Sequence, residues 1–119
     1  METQPKLICK AEKTHLPTAF PVYYFGTPHA KVYVVYAISW GGTQVIITAI
    51  LEEFSYNYEK ETLLAYKDND LWPLTMKEAV CGWTQKMKII KTYKMDETSL
   101  TPVTAKAIMN KFFVSKTKQ

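Results

Sequence analysis

"KVYVVYAISWGGTQVIITAILEE", residues 31–53, contains a run from Val32 to Leu51 of twenty residues without one charge, flanked by Lys31 and by Glu52 and Glu53. Two structures suit such a run. As a helix rising ~1.5 Å per residue it is long enough to cross a bilayer core. As two strands joined by a tight turn it belongs inside a sheet. The centre of the run favours strands, because Ser39, Trp40, Gly41, Gly42, Thr43 and Gln44 would otherwise lie at the bilayer midplane, where Gln is costly and Trp is out of place. Four valines and four isoleucines make the flanks β-rich. The Gly41-Gly42 pair can adopt the positive φ that a two-residue hairpin turn needs.

A turn at Gly41 and Gly42 fixes every pair behind it. Trp40 falls opposite Thr43, Ile38 opposite Val45, Tyr36 opposite Ile47, Val34 opposite Ala49 and Val32 opposite Leu51, all on one face of the sheet. The other face carries Ser39 with Gln44, Ala37 with Ile46, Val35 with Thr48 and Tyr33 with Ile50, ending in the opposite charges of Lys31 and Glu52. That second face is largely apolar too. The hairpin is therefore expected to lie centrally in its sheet, at least partly covered on both sides, with the helices further along the chain as the cover.

A chain of 119 residues forms one domain, 1–119, large enough for a real core. Its start, "METQPKLICKAEK", has no basic region followed by an apolar stretch, so no signal peptide is expected and the cytoplasm is the expected location. Cys9 and Cys81 are the two cysteines, without metal-type spacing, and are expected as reduced thiols. All fifteen basic residues are lysine. Lacking arginine, the chain has no bidentate fork for a phosphate, a carboxylate or a guanine edge.

Outward from the hairpin, "KLICKAEK" reads as a first strand and Val22 to Phe25, inside a Pro-bounded segment, as a second. Glu52 to Tyr58 reads as an extension of the second hairpin arm, with Phe54, Tyr56 and Tyr58 on one face. "TLLAYK" is a fifth strand and "KDND" a turn. Thr75 and Glu78 form a capping box for a short helix ending near Gly82. "MKIIKTYKM" alternates Met87, Ile89, Lys91, Tyr93 and Met95 against Lys88, Ile90, Thr92 and Lys94, as a strand does, while a continuous helix from Met76 is the competing reading. Thr101 and Pro102 start a last helix with the apolar stripe Ala105, Ile108, Met109 and Phe112, and the tail "SKTKQ" is expected to fray. The expected class is α+β: an antiparallel sheet of five or six strands around hairpin 31–52, with two helices in the C-terminal half.

Chemical motifs are sparse. His15 and His29 stand beside prolines without a metal-ligand pattern, and Asp68 and Asp70 belong to a turn. Glu52, Glu53, Glu59 and Glu61 flank a hairpin end and read as solvated edge residues. Cys81 reads as a core thiol, and neither Ser39 nor Ser55 has a nucleophile-elbow context. Neither a catalytic centre nor a cofactor or metal site is expected.

Charge and aromatics carry the remaining signal. Residues 1–83 have seven lysines and nine acids, a net charge of −2, whereas residues 84–119 have eight lysines and two acids, a net charge of +6. Lys86, Lys88, Lys91 and Lys94, with Lys106, Lys111, Lys116 and Lys118, would form a nucleic-acid patch if strand and helix are neighbours, with Tyr93 and Trp83 available for stacking. Sixteen aromatic residues are more than so small a core is expected to bury. Phe20, Tyr23, Tyr24, Phe25, Tyr56 and Tyr58 are accordingly the candidates for an exposed protein interface. Small size and the absence of arginine suggest a viral, phage or mobile-element accessory or inhibitor protein, in the host cytoplasm if viral. It would act by stoichiometric protein–protein contact or self-association, with sequence-nonspecific nucleic-acid binding through the lysine-rich C-terminal third as the alternative.

Overall fold

The structure is a computed structural model that describes residues 5–11, 22–40, 43–67, 70–74, 87–95 and 100–117. Its elements are β1 (Lys6–Ala11), β2 (Val22–Gly26), β3 (Val32–Trp40), β4 (Thr43–Leu51), β5 (Phe54–Asn57), β6 (Thr62–Lys67), β7 (Asp70–Leu74), β8 (Met87–Met95) and α1 (Pro102–Thr117). The architecture is mostly antiparallel β with one helix among the described residues.

β3 and β4 pair in the register that the sequence dictates, from Trp40 opposite Thr43 to Tyr33 opposite Ile50. Gly41 and Gly42 lie outside the described residues, and the closing pair leaves only these two for the connection. The hairpin is central: the large sheet has the order β1-β2-β3-β4-β8. The membrane-spanning reading is thereby overturned, since Val32 to Leu51 is two strands. Among the described residues no helix is long and apolar enough to cross a membrane.

Both hairpin faces are covered. Val34, Tyr36, Ile47 and Ala49 pack with Phe54, Tyr56, Leu63 and Ala65 of a second sheet of order β5-β6-β7. Tyr33, Val35, Ala37 and Ile46 pack with Ala105, Met109, Phe112 and Phe113 of α1. The Tyr33 ring meets those of Phe112 and Phe113 at centroid distances of 5.8 and 4.8 Å. The result is three layers, with a core on each side of the five-stranded sheet.

Thr101 caps α1 as its sequence signature requires. Its hydroxyl accepts a hydrogen bond from the Thr104 N–H at 3.2 Å, and its carbonyl accepts one from Ala105 N–H at 2.8 Å. The Tyr23 hydroxyl donates to the Leu100 carbonyl at 3.2 Å, fixing the helix start to β2. Phe113 joins the expected stripe, and the helix runs to Thr117.

Three expectations need correction. The single sheet of five or six strands is two sheets, of five and three. β5 does not extend β4, because the chain turns at Glu52 and Glu53, the latter with a φ of 66°, and the Tyr66 N–H then closes onto the Glu53 carbonyl at 3.0 Å. β7 runs through Pro73, which tolerates its place because β7 is an edge strand. The helix expected from Thr75 to Gly82 lies outside the described residues. Met87–Met95 is a strand, so the reading of a continuous helix from Met76 fails at its C-terminal end.

The two sheets meet at Gly26. The Tyr56 N–H donates to the Ala30 carbonyl at 2.9 Å, which brings the Tyr56 ring over the end of β2, and a Cβ added at Gly26 would overlap that ring. Gly26→Ala is therefore expected to destabilise the protein by about 3 kcal/mol, because neither a backbone strand nor a buried ring can yield cheaply. Urea unfolding checks this, and a loss below about 0.5 kcal/mol would show that the ring moves aside freely.

Candidate functional site

The aromatic residues expected at the surface are mostly inside. Tyr23 and Phe25 lie under α1, and Tyr24 and Tyr56 lie between the sheets, all of them buried. Adjacent β2 residues point to opposite faces, so a strand covered on both sides takes all of them into the core. Tyr58 is half-buried, its ring 5.8 Å from that of Tyr56 in an edge-on arrangement, and Phe20 lies outside the described residues. The five described residues do not form an exposed aromatic surface. Burial also raises the phenol pKa of Tyr33 and Tyr36 above the ordinary tyrosine value, and that of Tyr56 through burial first and the nearby Tyr58 second.

The lysines fall on two elements. β8 pairs with β4, and the register shifts between Thr48 and Ala49, with Ile90 as the extra residue. The shift changes the expected alternation. Lys88 stands opposite Ile50 and Lys91 opposite Thr48, so both point to the α1 side of the sheet, whereas Ile89 stands opposite Ala49 and points to the other side. Tyr93 and Lys94 hold the register positions opposite Ile46 and Val45. Lys106 and Lys111 are exposed on α1, which lies against β1 and β3. Lys88 and Lys91 of β8 thus share one side of the sheet with the lysines of α1 but are separated from them by β4. Lys86, Trp83 and Lys118 lie outside the described residues.

Among the described residues β8 is the outer strand on its side of the large sheet, and it is nine residues long. Its inner edge is paired with β4 from Met87 to Met95, and Met87 packs partly against the core between the sheets. Beyond Met87 the strand emerges. Ile89 is 57% exposed and Ile90 39% exposed, with Lys88, Lys91 and Thr92 exposed around them. Among the described residues the other large exposed apolar side chains, Tyr66 and Val103, stand singly on β6 and α1. Adjacent apolar side chains on an open backbone edge are the features by which one protein takes up a strand of another. The sequence conceals this site, because Ile89 and Ile90 are indistinguishable from core residues until the outer position of β8 and its bulge are known.

Other candidate sites are weaker. A cavity of about 210 Å³ lined by Lys6, Leu7, Ile8, Tyr56 and Glu61 is bordered by the Lys6–Glu61 ion pair. It is smaller than the ~300 Å³ at which small-molecule pockets begin. Among the described residues no three His, Cys, Asp or Glu side chains are grouped to hold a metal ion. Cys9 is a half-buried thiol on β1, and His29 is exposed between β2 and β3.

Beside the bulge, the Thr48 hydroxyl is fully buried without a hydrogen-bond partner. A buried orphan hydroxyl costs roughly 1–3 kcal/mol, so Thr48→Val should raise stability by about 1 kcal/mol in urea unfolding. A loss of similar size would mean that the hydroxyl is satisfied. The tyrosines make a pH prediction. Their folded pKa values lie above the unfolded value of about 10, so as pH rises the unfolded chain loses protons first and stability falls above about pH 10. Tyrosinate absorbance and circular dichroism, followed together, should show part of the eight tyrosines ionising only as the fold is lost. Complete ionisation with the dichroism unchanged would contradict their burial.

No family model, curated protein or solved structure matches the chain, so the functional reading rests on this geometry.

Proposed function

We propose that the chain is a non-enzymatic binding protein that acts by stoichiometric protein–protein contact, and that its docking site is the outer edge of β8. One observation carries the reading: an edge strand of nine residues exposes Ile89 and Ile90 side by side. Strand addition draws affinity from main-chain hydrogen bonds and specificity from alternate side chains, and β8 offers both. The polar residues in the described core, Thr27, Thr48 and Ser55, stand on three separate segments, an arrangement that suits packing better than catalysis. The chain's small size and lack of arginine fit an accessory or inhibitor protein of a virus, phage or mobile element.

A second reading draws on a separate observation. Lys88 and Lys91 project to the side of the sheet on which α1 exposes Lys106 and Lys111, so a phosphate backbone laid across that side would meet lysines from both elements. Such binding would be sequence-nonspecific and steeply salt-dependent.

The test selects extended peptides from a random library on the intact protein and then measures their affinity for two variants. Ile89→Lys should weaken the selected peptides by about tenfold or more, while Val103→Lys, on the exposed side of α1, should leave them unchanged. Binders indifferent to Ile89→Lys would place the interface elsewhere. Salt-sensitive binding of single-stranded DNA or RNA that survives Ile89→Lys would put the nucleic-acid reading first.

A further inference from the structure

Building on the assignment of β8 as the docking edge, we infer that its occupant is an extended acidic segment of a protein partner, added as a sixth strand to the five-stranded sheet. The chemistry of the occupant follows from the charges along the edge. β8 carries Lys88, Lys91 and Lys94 and no acid. Lysines on an edge strand ordinarily repel unwanted strands, which is sufficient reason for their presence on a protected edge. Protection alone does not account for Ile89 and Ile90, which are exposed on the same strand. Lysine and isoleucine together repel most strands while remaining complementary to one kind, a strand with carboxylates on one face and apolar residues on the other.

The bulge makes that pattern specific. Lys88 and Lys91 are three residues apart in sequence, yet they occupy ladder positions two apart, opposite Ile50 and Thr48, because Ile90 is the extra residue. Both point to the α1 side, with Ile89 between them in the ladder and pointing the other way. A regular strand laid alongside therefore meets them with an acid, an apolar residue and an acid in succession, the apolar residue against Ile89. A second copy of β8 does not meet this requirement. Two-fold antiparallel pairing centred on Lys91 sets Lys91 against Lys91 and leaves Lys88 with no acid opposite it, since β8 has none. A nucleic-acid strand would satisfy the lysines but leave the backbone edge and both isoleucines unused.

The experiment uses the full chain and three labelled peptides of nine residues, the length of β8, in which valine alternates with glutamate, glutamine or lysine. The glutamate peptide should bind about tenfold more tightly than the glutamine peptide and lose that advantage at high salt. Lys88→Glu with Lys91→Glu should transfer the preference to the lysine peptide. Lys88→Gln with Lys91→Gln, which removes charge without reversing it, should abolish the preference. Ile89→Lys should weaken the glutamate peptide.

Equal binding of the glutamate and glutamine peptides, still dependent on Ile89, overturns the acidic partner and leaves β8 as the docking edge. Absence of any Ile89-dependent peptide binding overturns both. A dimer detected by light scattering and broken by Ile89→Lys makes the occupant a second copy, and DNA or RNA binding lost in the Lys88 and Lys91 variants but retained in Ile89→Lys makes it a nucleic acid. Either result overturns the inference.

Discussion

Burial of the β3–β4 hairpin on both faces is the constraint on which the other elements depend. Neither face of the pair is polar enough to meet water, so the sheet needs a cover on each side. α1 supplies one with Ala105, Met109, Phe112 and Phe113, and the small sheet supplies the other with Phe54, Tyr56, Leu63 and Ala65. The demand spreads to β2, where Val22, Tyr23, Tyr24, Phe25 and Gly26 are all buried, the first four divided between the two cores. At Gly26 the second cover comes close enough that the Tyr56 ring leaves no room for a Cβ.

Short-range signals made much of this legible. The hairpin register follows from one two-residue turn and strict alternation, both local properties, and it holds from Trp40 and Thr43 to Tyr33 and Ile50. The start of α1 follows from Thr101 and Pro102, again within one turn of chain. Misreadings arose where a distant element overrode the local pattern. Glu53 turns the chain at positive φ where glycine would have announced the turn, so β5 leaves the sheet it was expected to extend. Pro73 conceals β7, because only an edge position makes proline tolerable in a strand. The aromatic residues of β2 and β5 looked too numerous for one core, and the second core is what accommodates them.

The site was harder to read than the fold. In sequence Lys88 and Lys91 fall on opposite faces of an ideal strand, and the bulge at Ile90 brings them to the same one. Ile89 and Ile90 carry no mark of exposure, and only the sheet order places them on an outer strand. An edge of this kind is a compromise. Its charges and its bulge discourage indiscriminate pairing, while its exposed isoleucines retain the contact area that a chosen strand would use. Six of the eight lysines of residues 84–119 lie on one strand and one helix.

The large sheet has a doubly covered centre, β3 and β4, and an outer strand, β8, beyond which no described strand lies. Native-state amide hydrogen exchange of the isolated protein tests that division most directly, because exchange reads backbone pairing one residue at a time. Amides of β3 and β4 should exchange only through global unfolding, whereas alternate amides of β8 should exchange rapidly because no described strand pairs with its outer edge. Slow exchange at every β8 amide, matching β4, would mean that the outer edge is already covered and would contradict the account.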